Sequence, residues 1–126
     1  MNLESIVQFM REKGLGTPGQ NLFAYGMPES VSQGLLVTSQ MPIQRNKYVT
    51  QLRRGEFQVI ARGSLHAELI DRLNSVSDAL NVQGVIIGDM NFRFIVPLNN
   101  PLVFPRADSR LLEASVNFEF AFTQPA

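Results

Sequence analysis

No cysteine occurs anywhere in the 126-residue chain. That absence removes disulfides, thiolate metal sites and cysteine nucleophiles, and it suits a reducing cytoplasm. Histidine is nearly absent as well: His66 stands alone, so a histidine metal cluster is impossible and a catalytic triad has a single residue to be built around. Its position at a helix start reads as solvated surface. Nor is there an excess of charge of one sign. Lys plus Arg and Asp plus Glu both number 11, which argues against a dedicated nucleic-acid binder and leaves any such role to a local cluster. No stretch approaches the roughly 20 apolar residues that a membrane-spanning helix needs. The opening MNLESIVQFMREKGLG carries Glu4 and Glu12, unlike the basic start and continuous apolar run of a signal peptide. The expectation is a soluble chain outside the usual secretory route.

The signatures of common enzymes are missing too. There is no GxSxG elbow, Walker loop or GxGxxG, and GLGTPG lacks the Lys-Ser/Thr that would follow a phosphate cradle. Asp89, Asp108, Glu113 and Glu119 carry carboxylates, but no spacing sets two of them apart as an acid and base pair. An enzyme is not expected, and no cofactor is implied.

What is present is pattern. The length fits one domain, residues 1–126, with a single core. Leu3, Ile6, Val7 and Met10 recur at helical spacing and Gly14 supplies a stop, which predicts a short helix over 3–13. After the turn-rich GLGTPGQ, the runs NLFAYGM and GLLVTSQ read as a strand pair, and EFQVIARG as a central strand. Ser64 is a good N-cap for a longer helix whose stripe is Leu65, Leu69, Ile70, Leu73, Val76 and Leu80. VII and NFRFIVPL read as further extended chain. From Leu112, Ala114, Val116, Phe118, Phe120 and Phe122 fall on one side, and Glu113, Ser115, Asn117 and Glu119 on the other, the period of two of a strand with one face in a core. Strands grouped around helices predict an α+β fold, a two-layer domain whose mainly antiparallel sheet is covered by one long helix plus the short N-terminal one.

Residues 41–55, MPIQRNKYVTQLRRG, show neither period and read as a long loop or arm. Between residues 43 and 62, Arg45, Lys47, Arg53, Arg54 and Arg62 stand against Glu56, five positive charges less one negative, a local +4 in a neutral chain. Such a cluster is either a solvated loop or a surface that meets a partner or a DNA backbone. The phenylalanine face of the last strand reads as core, because single-strand stacking platforms interleave exposed rings with Lys or Arg, and here the intervening residues are Glu119 and Ala121.

Three stretches in order, NLFAYGMPES, FQVIARG leading into SLHAELIDRLNSVSDAL, and PLVFPRADSR ahead of SVNFEF, resemble the minor capsid and tail terminator (tail completion) proteins of tailed bacteriophages. The resemblance spans residues 1 to 122, and its nearest echoes are Arg106, Asp108 and Arg110 and the closing Ser115–Phe118. It implies a helix on an antiparallel sheet, and a ring of six copies at the head–tail junction that stops tail-tube polymerisation and offers a surface to the head or neck. The implied partners are further copies of the chain, the tail-tube protein and a neck or head-completion protein, with possible non-specific contact to genomic DNA in the channel and none to a membrane. The implied location is the virion, after assembly in the host cytoplasm. Arg45, Lys47, Arg53 and Arg54 are then candidates to face the tube or DNA, and Arg106, Asp108, Arg110, Glu113, Asn117 and Glu119 candidates for the subunit interface. A head-completion or neck connector is the nearest alternative, and a small nucleic-acid-binding module of ferredoxin-like shape the next.

Overall fold

The computed structural model describes residues 1–39, 42–105 and 110–124. Their elements run α1 (Leu3–Glu12), β1 (Leu22–Ala24), β2 (Gly34–Thr38), β3 (Gln44–Arg45), β4 (Leu52–Gly63), α2 (His66–Leu80), β5 (Val82–Ile87), β6 (Met90–Pro97), β7 (Leu102–Pro105) and β8 (Leu112–Thr123). The fold is α+β, with two helices against a curled, mostly antiparallel mixed sheet.

Helix α1 is specified at both ends. The Asn2 side chain accepts a hydrogen bond from the Glu4 backbone N–H at 2.9 Å, and Glu4 and Arg11 complement the helix dipole in the first and last turns. Gly14 takes φ 77°, Leu15 N–H returns to the Met10 carbonyl and Gly14 N–H to that of Arg11. That reciprocal pair closes the last turn in a conformation that glycine adopts freely. Leu3, Ile6, Val7 and Met10 are buried.

The frame of the sheet is β4 against β8. The two strands pair antiparallel over all twelve residues, from Leu52↔Thr123 to Gly63↔Leu112. Each is flanked by two shorter strands in succession: β3 and β2 share the outer edge of β4, and β6 and β7 share that of β8. The strand order is β1-β2-β4-β8-β6-β5, and β1 and β2 run parallel. Helix α2 packs on β4, β6 and β8, whereas α1 touches β1, β2 and β5, strands from opposite ends of that order. The sheet therefore curls, and α1 lies where its two margins approach.

Register decides which side chains are core. On the helix-covered face Phe57, Val59 and Ala61 lie opposite Phe118, Val116 and Ala114, all buried. Phe57 and Phe118 stack with ring centres 5.1 Å apart, and Phe92, Phe120 and Phe122 extend the cluster. Each such ring pair adds about 0.5–1.5 kcal/mol beyond the area it buries. Gly55, opposite Phe120, is the space the ring needs: a Cβ there would lie 2.9 Å from Phe120 Cζ.

Between the reach of β6 and that of β7, the outer edge of β8 has a short stretch with no strand beside it. Here the Asn117 N–H donates to Asn99 Oδ1 at 2.8 Å and Leu98 N–H donates to the Asn117 carbonyl at 2.7 Å. One asparagine side chain thus stands in for a missing strand and keeps the Asn117 backbone N–H paired.

Several expectations are corrected. Within residues 42–55 the chain is a hairpin and not an irregular loop, because Gln44 and Arg45 pair with Arg54 and Arg53, and β4 begins at Leu52. That half of β4 is held by β8, a partner remote in sequence, so no local period announces it. Helix α2 starts at His66 with Leu65 as cap residue and no side-chain cap bond, and Leu65 is exposed. The N-terminal strand is only Leu22–Ala24, ended by Tyr25 at φ 71°, and its partnership with β2 is parallel. Strand β7, which follows Pro101 and ends on Pro105, falls in a stretch assigned to no element above; it is an edge strand, the place where proline is tolerated.

Candidate functional site

The sequence-predicted residues fall on two regions. Glu113, Asn117 and Glu119 lie on the face of β8 turned away from the helices, beside Arg62, Gln58 and Glu56 of β4. Arg45, Arg53 and Arg54 lie at the end of the sheet where β3 and β4 form the hairpin, and Lys47 lies in its turn. Arg110 is exposed at the margin of the described chain, and Arg106 and Asp108 lie outside the described residues. His66 is exposed at the first residue of α2.

The open face is internally paired. Arg62, only 6% exposed, donates from Nε to Glu113 Oε2 at 3.1 Å, and from Nη1 to the carbonyls of Pro28 at 2.9 Å and Val31 at 3.1 Å. The guanidinium therefore fastens the loop between β1 and β2 to the open face, and Glu113 supplies the counter-charge that makes its burial tolerable. Arg54 reaches Glu119 across strands at 3.3 Å. Glu56 sits directly opposite Glu119, a like-charge pair that Arg54 offsets. Both partners of the Arg54–Glu119 pair are substantially exposed, and such pairs contribute at most about 1 kcal/mol. Two candidate interface carboxylates are thus already committed to arginines of their own chain.

The hairpin end is different. Asn46 Oδ1 accepts from the backbone N–H groups of Tyr48 and Val49, both at 2.8 Å. Leu52 N–H donates to the Val49 carbonyl at 3.0 Å, and Gln124 N–H to that of Gln51 at 3.2 Å. The turn is held by its own hydrogen bonds, a local Asx arrangement. Arg53 spends its guanidinium on the carbonyls of Thr50 and Leu52. Among the described residues Arg45 and Lys47 form no ion pair, and Tyr48 is 83% exposed with the Lys47 ammonium 5.2 Å from its ring centre. This knuckle has free cations and an uncovered aromatic ring on a preset turn.

Sequence reasoning overlooked Arg62 as an anchor and Asn99 as a patch. An isolated arginine in the apolar run FQVIARG was a visible signal that something had to meet its charge, but Glu113 is identifiable only once β4 and β8 are in register. Among the described residues no group of His, Cys, Asp or Glu gathers in a metal-binding arrangement.

Compared with known families, residues 9–124 match the bacteriophage tail terminator family. The chain belongs to that family. Tail terminators are structural phage proteins, and the chain is accordingly a structural tail protein of a phage-type virion. Among solved structures the fold is similar to a chain in the virion of a native gene transfer agent particle, with a TM-score of 0.66 at 10% identity, covering 91% of this chain and 84% of the other. At that identity the likeness shows a shared fold. No curated protein matches the sequence. For a tail terminator the relevant surfaces are those that meet other proteins, and the open face, the knuckle and the free strand edges are the candidates.

Proposed function

We propose that this tail terminator assembles as a ring of identical copies on the last ring of the tail tube, ends tube polymerisation there, and presents the surface to which the head or neck attaches. The observation that carries this reading is the family match over residues 9–124. Six copies is the number that the resemblance implies. Two structural facts support the reading. Strands β1, β3, β5 and β7 each pair on one side only among the described residues, and ring closure covers free edges that would otherwise invite aggregation. The knuckle presents unpaired Arg45 and Lys47 on a hydrogen-bonded turn, a preorganised feature suited to an anionic surface. The tail-tube protein and a neck or head-completion protein are the partners, with assembly in the host cytoplasm and residence in the virion.

The test is electron microscopy of lysates made with a stop codon in this gene. DNA-filled heads beside unjoined tails of irregular or excessive length are expected. Emptied heads beside tails of normal length would move the protein to the neck, and normal virions would end both readings.

A further inference from the structure

A second surface complements the knuckle. Between α1 and the β5–β6 turn runs a groove of about 490 Å³, lined among others by Glu4, Gln8, Phe9, Glu12, Ile86 and Gly88. Gly88, at φ 62°, lets the turn approach the helix closely: a Cβ there would lie 2.7 Å from Ser5 Oγ. Ile86 is 71% exposed and Phe9 is half-buried, so the groove offers apolar surface to whatever enters it. Its lining carries two carboxylates and no base. Glu4 and Glu12 form no ion pair among the described residues; of the bases nearby, Arg11 of α1 donates from Nε to Gln8 Oε1 at 2.9 Å, and Lys13, the residue that caps α1, holds its ammonium 5.1 Å from the Phe9 ring centre.

Knuckle and groove are therefore opposite in charge and alike in carrying exposed apolar side chains. Arg45, Lys47, Tyr48 and Val49 stand on one, and Glu4, Glu12, Phe9 and Ile86 on the other. We propose that the Asn46–Thr50 knuckle of one copy seats in the α1–β5 groove of a second copy, Tyr48 against Ile86 and Phe9, with Arg45 and Lys47 meeting Glu4 and Glu12. This inference rests on the ring reading and specifies its contact. The two surfaces are unlike each other and every copy offers one of each, so the contact can repeat head to tail, as a closing ring requires, where a reciprocal exchange between two copies would stop at a dimer. The aromatic anchor supplies the buried contact, and the charges set the register and exclude wrong partners.

The absence of native cysteine makes the test direct, because engineered thiols are the only ones in this chain. Particles are prepared carrying Tyr48→Cys together with Ile86→Cys, mildly oxidised, and their protein run on a non-reducing gel. A ladder extending beyond the dimer is expected, with neither single variant passing the dimer. Particles that contain the protein but yield only monomer, whether the thiols are free or joined within one chain, overturn the contact and leave the ring intact. A ladder that stops at the dimer overturns the head-to-tail arrangement. Absence of the native protein from mature particles removes the ring reading and the contact with it. A charge exchange gives an independent check that does not depend on disulfide geometry. Arg45→Glu with Lys47→Glu, and Glu4→Lys with Glu12→Lys, are each expected to lose incorporation while keeping the native circular dichroism spectrum, and the four combined to regain it. Full incorporation of either pair alone counts against the contact.

Discussion

The two halves of β4 share one ladder and have opposite fates. From Phe57 to Gly63 the strand is the middle of the molecule: Phe57, Val59 and Ala61 are buried under α2, and even Arg62 is sealed by Glu113 and two carbonyls. From Leu52 to Glu56 the same strand, paired with the same partner β8, carries Arg53, Arg54 and Glu56 and ends in the knuckle. Backbone pairing is continuous, so hydrogen bonds do not distinguish the halves. Side-chain burial does. One half lies in the core of the domain, and the other is carried on an extension of that core at the surface.

The most severe way to break the buried half is Phe118→Asp. A carboxylate placed against Phe57, with no cation nearby, adds the cost of burying an unpaired charge to the roughly 3–5 kcal/mol lost on removing a core phenylalanine. Against a domain stability of about 5–15 kcal/mol this should abolish soluble folding, as read by solubility and circular dichroism. A well-folded variant would remove the phenylalanine face from the core.

Arg62→Ala should follow, at about 3–5 kcal/mol, because it leaves Glu113 without its cation and the carbonyls of Pro28 and Val31 without their donor. Chemical denaturation measures it; a cost similar to that of Arg54→Ala would show that the clamp is no stronger than a surface pair. Asn99→Ala should cost about 0.5–1.5 kcal/mol, since the exposed Asn117 N–H exchanges its acceptor for water, and hydrogen exchange at Asn117 should quicken selectively.

In the other half of β4, charge reversal of Arg53 and Arg54 together should change unfolding stability by at most about 1 kcal/mol while weakening the joining of tails. Unaltered infectivity would deny this end of the strand a role in assembly. The smallest stability effect belongs to Arg45→Glu with Lys47→Glu, within about 0.5 kcal/mol as for surface positions without partners. For that pair the assay to watch is incorporation into particles.

Much of the buried half was readable in the sequence. The period of two from Ala114 to Phe122, the stripe of Leu69, Leu73, Val76 and Leu80, and the start and stop of α1 are local signals, and local signals reported faithfully on what packing required. The knuckle hairpin and β7 were not readable, because each owes its existence to a strand elsewhere in the chain, and of the β1–β2 pair the pairing was legible but not its parallel sense. The same holds for the site. Local composition singled out the free cations Arg45 and Lys47. The commitment of Arg54 to Glu119 and of Arg62 to Glu113 depends on a register between segments some fifty to sixty-five residues apart, and the groove depends on α1 meeting a turn near residue 88.

The position of β8 in the sheet also has a temporal side. It is the latest strand in the described order, yet β4, β6 and β7 all lean on it. Until Leu112–Thr123 leaves the ribosome, the sheet is in two pieces, β1 to β4 and β5 with β6, joined through the helices alone, β7 has no partner strand, and three of the five clustered phenylalanines are still unmade. Until then the sheet that carries both the β3–β4 hairpin and the β5–β6 turn is incomplete. Completion of the sheet therefore waits on the one strand that unites its two parts.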